Sequence, residues 1–282
     1  MARPLRLEFP GAFYHVMSRG NGKQDIFLED SDKLAFLDIL SSVIESCNWT
    51  FHSYCLMRNH YHLLIETPQP NLSKGMRNLN GIYSQAFNRK YDKVGHVMQG
   101  RFLSPIVVGD SYFLESVRYI VLNPVRNKLT SQPSDWRWSS FRAMAGLTAR
   151  PVFLETERVL DLFSEDIATA QWEFQRFILE GVDDPSPSAI RNTLIGDVPV
   201  PNAVSSALSA KRMVRDIPRD QRYCDRSSLH EIFRGSRGKR ERNSAVIVAH
   251  YENGYSMTEI AEYLGINCST VSRVLRSNSL EV

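Results

Sequence analysis

The sequence predicts an α+β chain that ends in a smaller all-α domain. Two observations favour this fold class. In the first 150 residues, short runs rich in β-branched and aromatic residues alternate with segments whose apolar residues recur at helical spacing. In about the last 70 residues, helical patterns are separated by short polar or glycine turns.

The first elements read as a strand, a helix and a hairpin. The strand spans 12–18 and ends at a polar glycine turn. A helix follows over 32–46, where apolar residues return every three or four positions. Strands over 49–57 and 60–67 are separated by a tight turn, which is typical of a β-hairpin.

A second helix, a strand and a third helix come next. The helix spans 72–91 and the strand 101–108. The third helix spans 110–122 and stops at Asn123, because Pro124 disfavours helical geometry in the residue before it. The order β-α-β-β-α-β-α is that of a ferredoxin-like split βαβ sandwich with an antiparallel sheet and one helix appended.

Composition divides the chain into three predicted segments. Residues 1–148 contain the sandwich, 149–210 form an acidic helical connector, and 211–282 form a helix-turn-helix domain. The connector has a helical pattern over 167–179 and a proline- and serine-rich stretch over 183–188, which reads as a linker or surface loop.

Charge is unevenly spread, although the net charge is only +3. Residues 1–150 carry 18 Lys+Arg against 12 Asp+Glu, 151–210 carry 3 against 10, and 211–282 carry 13 against 9. Two basic lobes therefore flank an acidic middle, which permits a nucleic-acid partner but does not establish one.

The composition is that of an ordinary soluble protein, with 43% hydrophobic and 23% charged residues in a chain of 282. No apolar run approaches the roughly 20 residues that span a bilayer, and the N-terminus lacks the apolar stretch of a signal peptide. We therefore expect a cytoplasmic protein with no membrane partner. Four scattered cysteines, with no Cys-x-x-Cys pair, indicate neither a structural zinc site nor a disulfide framework.

The C-terminal segment has the pattern of a helix-turn-helix. Ser256 and Glu259 form a capping box that opens one helix, Gly265 lies in the turn, and a second helix spans 269–275. The polar side chains expected to face outward toward DNA are Ser269, Thr270, Arg273 and Arg276. The alternative is a three-helix bundle for protein contact, which would not explain the upstream cations Arg234, Arg237, Lys239, Arg240 and Arg242.

Two histidines share one face of the strand predicted over 60–67. Side chains alternate across a strand, so His60 and His62 point to the same side. Two imidazoles at this spacing can bind one metal ion, because neutral imidazole is the commonest metal ligand among side chains. The alternative is a pair of polar side chains on a half-exposed strand.

Tyr119 and Asn123 lie four residues apart near the end of the third helix, so they project from one helix face. If this helix packs across the histidine strand, it delivers a phenol and a carboxamide to the metal. Two imidazoles and an amide oxygen leave open positions on Mg²⁺ or Mn²⁺ for phosphate oxygens, while the tyrosine oxygen attacks in line. The alternatives are a core tyrosine and a simple helix stop.

Four ordered stretches resemble the single-tyrosine transposases with a His-hydrophobic-His (HUH) motif, the IS200-like family, and are most similar to the REP-associated tyrosine transposases. The stretches are PGAFYHVMSRGN at 10–21, MRNHYHLL at 57–64, GHVMQGRF at 95–102 and YIVLNPVR at 119–126. The resemblance covers about residues 4–145. The C-terminal helix-turn-helix resembles the DNA-binding end of the replication initiator DnaA, an extension that compact family members lack.

The resemblance implies roles for particular residues. His60, His62 and Asn123 would be the metal ligands, and Tyr119 the nucleophile that joins the 5′ phosphate and leaves a free 3′-OH. The implied substrate is single-stranded DNA with a folded hairpin. Arg58 departs from the proline that the family often has before Asn-His, and Tyr61 is a bulky middle residue of the motif.

Several other residues are candidates for lesser roles. Arg19 and Arg101 are candidate phosphate contacts. His15, His52 and His96 are interpreted as DNA contacts, core histidines or supports of the ligands rather than as ligands.

The sequence therefore predicts a metal-dependent transposase that cleaves and rejoins single-stranded hairpin DNA, with duplex DNA as a second partner of the C-terminal domain. One alternative is a domesticated regulator that binds DNA or RNA hairpins without cleaving them. Another is a stand-alone nicking enzyme related to replication initiators or relaxases, since no helicase-type phosphate loop is present. Whether one chain or a homodimer builds the site stays open.

Overall fold

A computed structural model describes residues 7–182, 194–195, 227–236, 238–253 and 255–278. They form two compact units, one within 8–198 and one that includes the described residues from 227 onward. None of the described helices is long and apolar enough to cross a membrane. Cys47, Cys55 and Cys268 are free thiols, and Cys224 lies outside the described residues.

The first unit is built on a mainly antiparallel sheet. Its strands are β1 (Ala12–Arg19), β2 (Thr50–Leu56), β3 (His60–Thr67), β4 (Ile106–Val107) and β5 (Leu194–Ile195), in the spatial order β2-β3-β1-β4-β5. β3 pairs antiparallel with both β1 and β2, so β1 and β2 run parallel with β3 between them. β4 pairs antiparallel with the other edge of β1. This is the split βαβ arrangement, which confirms the predicted α+β, ferredoxin-like class.

Seven helices belong to the first unit: α1 (Asp30–Cys47), α2 (Leu72–Lys90), α3 (Asp110–Val121), α4 (Asn123–Arg126), α5 (Phe141–Met144), α6 (Glu157–Leu160) and α7 (Ile167–Glu180) among its described residues. Short 3₁₀ turns lie at Asn21–Lys23 and Pro133–Asp135. The second unit contains α8 (Leu229–Phe233), α9 (Lys239–Ile247), a π-helical turn (Val248–Glu252), α10 (Met257–Leu264) and α11 (Cys268–Asn278).

The two faces of the sheet carry different chemistry because side chains alternate along each strand. On one face Tyr61 packs against α1 and α2, with its ring 4.8 Å from Phe36 and its hydroxyl donating to Asn80 Oδ1 at 2.6 Å. His60 and His62 point to the opposite face, which α3 covers. The period-two pattern thus separates a purely structural face from the face with the candidate site.

Helix α7 packs against α3 and completes the core on that face. Phe174 and Ile178 are fully buried in one cluster with Val117, and the Arg118 guanidinium lies 3.6 Å above the Phe177 ring. Full burial of such an apolar side chain contributes about 1.5–3 kcal/mol. The helix predicted over 167–179 is confirmed.

The described part of the predicted connector, residues 149–182, therefore lies in the first unit. Its proline- and serine-rich stretch over 183–188 lies outside the described residues. The domain boundaries after 148 and 210 stay predictions.

The strand predicted over 101–108 is much shorter in the structure, where β4 has two residues. Leu103 makes an isolated antiparallel pair with Met17, and at Pro105 only the carbonyl bonds to β1, accepting from His15 N at 3.0 Å. A proline has no N–H to donate to a neighbouring strand, so continuous pairing stops there. The sequence contained this signal, and the prediction of a continuous strand was wrong.

The third helix ends where expected, but Pro124 does not end the helical path. α3 stops at Val121, Leu122 keeps helical backbone angles of φ −84° and ψ −3°, and α4 begins at Asn123. Proline is tolerated in the first turn of a helix, where its missing N–H has no partner to lose. Asn123 consequently stays next to Tyr119, and its Nδ2 donates to the Tyr119 carbonyl at 3.3 Å.

Candidate active site

Side chains from β1, β3 and the α3–α4 junction meet on the face of the sheet that α3 covers. The β1–β3 register pairs Arg19 with His60 and Met17 with His62, so all four share that face. A cavity of about 670 Å³ opens here. Its lining consists of Met17, Ser18, Arg19, Lys23, Asn59, His60, His62, Gln99, Arg101, Leu103 and Asn127.

His60 is held by the residue before it. Asn59 Nδ2 donates to the Lys23 carbonyl, which turns Asn59 Oδ1 toward His60 Nδ1 at 2.7 Å. Because this oxygen can only accept, the imidazole proton lies on Nδ1 and the Nε2 lone pair faces the cavity. Nothing in the sequence pattern singled out Asn59 for this role.

The amide of Asn123 is oriented by two neighbours on its own helices. Its Nδ2 donates to the Tyr119 carbonyl, and its Oδ1 accepts from Asn127 Nδ2 at 3.2 Å. The oxygen therefore points at His60 Nε2, 3.5 Å away. Sequence reasoning missed Asn127, although its place four residues after Asn123 puts both on one helix face.

His62 lies deeper than His60 and is paired with His15. His62 is 5% exposed and His15 is fully buried, and His15 Nε2 lies 3.0 Å from His62 Nδ1. The rings of His60 and His62 are 5.2 Å apart and nearly perpendicular. Both predicted imidazoles are thus side by side on the floor of the cavity.

Tyr119 packs edge-on against the two deeper histidines. Its ring centroid lies 5.5 Å from those of both His15 and His62, at interplanar angles of 66° and 77°. The Arg126 guanidinium lies 5.5 Å from the same ring. The structure therefore brings together His60, His62, Tyr119 and Asn123, the set that the sequence singled out.

Burial keeps the histidines of the site neutral. Burial lowers the pKa of His15 to about 3 and that of His62 well below its usual value, with His15 and His60 adding to the effect on His62. Burial also lowers the pKa of His60, helped by the charge of Arg19, while the contact with Asn123 acts in the opposite direction. Neutral imidazoles are the form that binds metals.

The donor set fits a divalent cation. No three His, Cys, Asp or Glu side chains are grouped to hold a metal ion in the described part of the chain, but the predicted set is two imidazoles and an amide. A lone pair of His60 Nε2 and the Asn123 Oδ1 face each other across 3.5 Å. Two acceptors in this position repel, and a cation bound by both would turn that repulsion into coordination.

Basic side chains border the cavity. Arg19, Arg101 and Lys23 are all exposed there, and Arg19 Nε donates to Gln99 Oε1. Arg19 and Arg101 were candidates from the sequence, whereas Lys23 and Gln99 were not. Lys23 follows a glycine turn in the sequence, and only the fold brings it to the cavity.

Comparison with known proteins identifies the family of one segment within the first unit. Residues 9–127 match the family model described as "Transposase IS200 like". This segment is an IS200-like transposase domain. All four stretches on which the resemblance rested lie inside it, and the match supports a general role in DNA transposition.

One solved structure that is similar to the chain is described as "Structure of the REP associates tyrosine transposase bound to a REP hairpin". The identity is 18%, the TM-score 0.45, and the match covers 55% of this chain and 92% of that chain. No curated protein matches the chain significantly.

The second unit, outside the IS200-like domain, is a small helical bundle. Phe233, Val246, Ile260, Val271 and Leu275 are buried in its core. The predicted capping box is confirmed, with Glu259 N donating to Ser256 Oγ at 3.1 Å, and Gly265 ends α10 in the left-handed region at φ 63°.

Helix α11 turns polar side chains away from this core. Ser269 and Arg273 are exposed and Thr270 is half-buried. The side chains of Arg276, Arg237 and Lys239, which the sequence also singled out, lie outside the described part of the chain.

Proposed function

We propose that the IS200-like domain is a metal-dependent transposase that cleaves and rejoins single-stranded, hairpin-containing DNA through a covalent bond between Tyr119 and a 5′ phosphate. The proposal rests mainly on one arrangement. The Tyr119 ring lies 5.5 Å from the His62 ring, and the Asn123 oxygen lies 3.5 Å from His60 Nε2, beside the same basic-rimmed cavity.

His60, His62 and Asn123 would hold one Mg²⁺ or Mn²⁺ ion, through the two imidazoles and the amide oxygen. The ion would polarise the scissile phosphate and leave coordination positions open for its oxygens. Asn59 and Asn127 orient two of the three ligands, as second partners of metal ligands commonly do.

Tyr119 is proposed as the nucleophile. Its phenolic oxygen attacks phosphorus and forms an O–P bond as the bond from phosphorus to the 3′ oxygen breaks. The phenolic proton passes to solvent, and the leaving oxygen takes a proton and becomes a free 3′-OH. In the reverse direction a 3′-OH attacks the phosphotyrosine, which rejoins the strand and releases the tyrosine. One phosphodiester replaces another, so the cycle needs no energy source.

Arg19 and Arg101 are proposed to bind phosphates on either side of the reacting one. Both are exposed at the cavity, where guanidinium groups can donate two hydrogen bonds to one phosphate. Such contacts set the register of the strand and do not read its sequence.

The second unit is proposed to bind duplex DNA, with α11 as the helix that enters the major groove. Support comes from the exposed Ser269 and Arg273 on α11 and from the short turn at Gly265 that joins it to α10. Arg276 belongs to the same proposal.

The nucleophile can be tested with labelled hairpin DNA and Mn²⁺, followed by denaturing gels. Since the 5′ phosphate would stay on the protein, a 3′ label should travel with the protein, and a 5′ label should appear in a free fragment. We expect Tyr119→Phe and addition of a chelator to abolish the adduct. Tyr112→Phe, on the same helix, should retain it and serves as the control.

Two results would contradict the proposal. An adduct that persists in Tyr119→Phe would place the nucleophile elsewhere. Binding of hairpins by the wild type without an adduct, across a broad set of hairpins, would favour the non-catalytic regulator.

A further inference from the structure

His15 and His62 form a buried pair whose hydrogen bond can be made in two ways. His15 lies on β1 and His62 on β3, diagonal to each other on the face that α3 covers. The contact joins His15 Nε2 to His62 Nδ1 at 3.0 Å. A hydrogen bond between two ring nitrogens at this distance holds one proton, and either ring can carry it.

The position of that proton decides whether His62 can bind a cation. If His15 donates, His62 carries its own proton on Nε2, the nitrogen left for the cavity, and that nitrogen has no lone pair to offer. If His62 donates from Nδ1, its Nε2 lone pair is available. A ligand histidine generally donates its other ring N–H to an acceptor that fixes the tautomer.

The contact between His15 and His62 is out of reach of bulk solvent. His15 is fully buried and His62 is 5% exposed. The other ring nitrogen of His15, Nδ1, is buried and has no hydrogen-bond partner among the described residues. His15 therefore makes one side-chain hydrogen bond within the described structure, and that bond is made to His62.

We infer that His15 is a positioning residue that accepts the Nδ1 proton of His62 and so makes His62 Nε2 a metal-binding atom. The inference rests on the proposed metal site. In the cation-bound protein His15 carries its proton on Nδ1, and His62 donates to His15 Nε2. The role parallels that of Asn59 toward His60, with an imidazole in place of an amide.

The test measures Mn²⁺ affinity of the full chain from the signal of free Mn²⁺ in electron paramagnetic resonance. His15→Gln keeps an acceptor near the position of Nε2, whereas His15→Asn is polar but too short to reach His62. His15→Leu keeps the volume that packs against Tyr119 without any acceptor. A cooperative thermal unfolding transition checks that each variant is folded. If His15→Leu does not fold, the comparison of His15→Gln with His15→Asn still tests the inference.

We expect His15→Asn and His15→Leu to bind Mn²⁺ about 10- to 100-fold more weakly, and His15→Gln to stay within about threefold of the wild type. ¹⁵N spectra of histidine in the Mg²⁺-bound wild type should place the His62 proton on Nδ1. A purely packing role would leave the affinity of the Leu variant unchanged.

Three results would overturn the inference. They are a His62 proton on Nε2 in the Mg²⁺-bound protein, affinity unchanged in the Leu and Asn variants, and equal losses in the Gln and Asn variants. If the wild type itself binds no Mn²⁺, the proposed metal site fails together with the inference. If the wild type binds Mn²⁺ and any of the three results is found, the metal site stands and only the proposed role of His15 is overturned.

Discussion

The side-chain oxygen of Asn123 lies 3.5 Å from Nε2 of His60, although 63 residues separate them in the chain. Both atoms are acceptors, because Asn59 fixes the proton of His60 on Nδ1 and the Tyr119 carbonyl takes the amide N–H of Asn123. Folding therefore brings two lone pairs together at a cost that a bound cation would remove.

Asn127 should influence the site through Asn123. Its Nδ2 donates to Asn123 Oδ1 at 3.2 Å, which opposes rotation of the amide away from His60. We expect Asn127→Leu to weaken Mn²⁺ binding by about tenfold. This is the lower end of the usual loss when a residue that orients a metal ligand is removed, because Asn127 is exposed. Binding can be measured by the same resonance titration.

Lys128→Asn is the matched control for Asn127→Leu. Lys128 has a left-handed backbone at φ 58°, which asparagine adopts readily, and it does not line the cavity. Its Mn²⁺ affinity should equal that of the wild type. Unchanged binding in Asn127→Leu would show that Asn123 holds its orientation without Asn127.

Local periodicity predicted two pairs of side chains that lie in the candidate site. The two-residue spacing of His60 and His62 fixes their common face, and the four-residue spacing of Tyr119 and Asn123 does the same on a helix. These relations hold whatever the rest of the fold does. The order of helices and strands likewise indicated the split βαβ class.

Contacts between distant segments could not be predicted in this way. The pairing of His15 with His62 depends on the β1–β3 register, and the packing of α7 on α3 depends on which apolar faces meet. An amphipathic pattern shows that a helix has a buried face without naming its partner. The shortness of β4 is different, since Pro105 was visible in the sequence.

Close packing of α2 on Trp49 should make Gly75 intolerant of a side chain. A Cβ on Gly75 would overlap the Trp49 ring and contact Cys47 Sγ, whereas a Cβ on Gly81, in the same helix, would meet open space. We expect Gly75→Ala to destabilise the protein by about 1–3 kcal/mol through overpacking. Gly81→Ala should stabilise it by about 0.5–1 kcal/mol, because alanine favours the helix.

Urea unfolding of the two glycine variants measures both changes. Equal effects of the two substitutions would show that Trp49 moves aside without cost. We expect the two changes in the free energy of unfolding to have opposite signs, because the new methyl group meets Trp49 at position 75 and open space at position 81.

Phe174 should be essential for holding α7 on α3. Its side chain is fully buried beside Phe141, with ring centroids 5.9 Å apart. We expect Phe174→Ala to cost about 3–5 kcal/mol in the free energy of unfolding. Trp172→Ala, at a position 57% exposed on the same helix, should cost about 0.5 kcal/mol or less. Similar losses at both positions would argue against the packing of α7 described above.

Arg273 should contribute to binding of duplex DNA by the second unit. It is exposed on α11, so a contact with DNA would release counterions. We expect Arg273→Ala to weaken duplex binding and, if the contact is to a phosphate, to reduce the salt slope by about one. Fluorescence anisotropy at several salt concentrations measures both. An unchanged affinity and slope would remove Arg273 from the proposed interface.

His52 should make stability depend on pH in a direction opposite to the histidines of the site. It is buried between the rings of Phe13 and Phe113 and lies 2.9 Å from Glu155 and 3.3 Å from Glu66. Burial alone would lower the pKa of His52, but hydrogen bonds and charges of the two glutamates outweigh it and raise the pKa above 6.5. The pKa of Glu155 is lowered from 4.5, since its contacts with His52 and with backbone N–H groups outweigh its own burial.

The sign of the effect follows from these directions. A raised histidine pKa stabilises the fold fully below 6.5, and this stability is lost as the pH rises through the folded value. A lowered glutamate pKa stabilises it above 4.5 and fails as the pH falls through its folded value. The contact between His52 and Glu155 therefore stabilises the fold most between pH 4.5 and 6.5. The pKa values of the site histidines are lowered, so their effect on stability becomes more favourable as the pH rises; these are His15, His60 and His62.

Comparison with His52→Gln isolates the contribution of His52, because the histidines of the site titrate in both proteins. We expect the free energy of unfolding of the wild type to exceed that of the variant most between pH 4.5 and 6.5. The difference should shrink as the pH rises through the folded pKa of His52. Urea unfolding across this range measures the difference. A difference that stays constant with pH would mean that the pKa of His52 is the same in the folded and the unfolded protein, and would contradict the raised pKa.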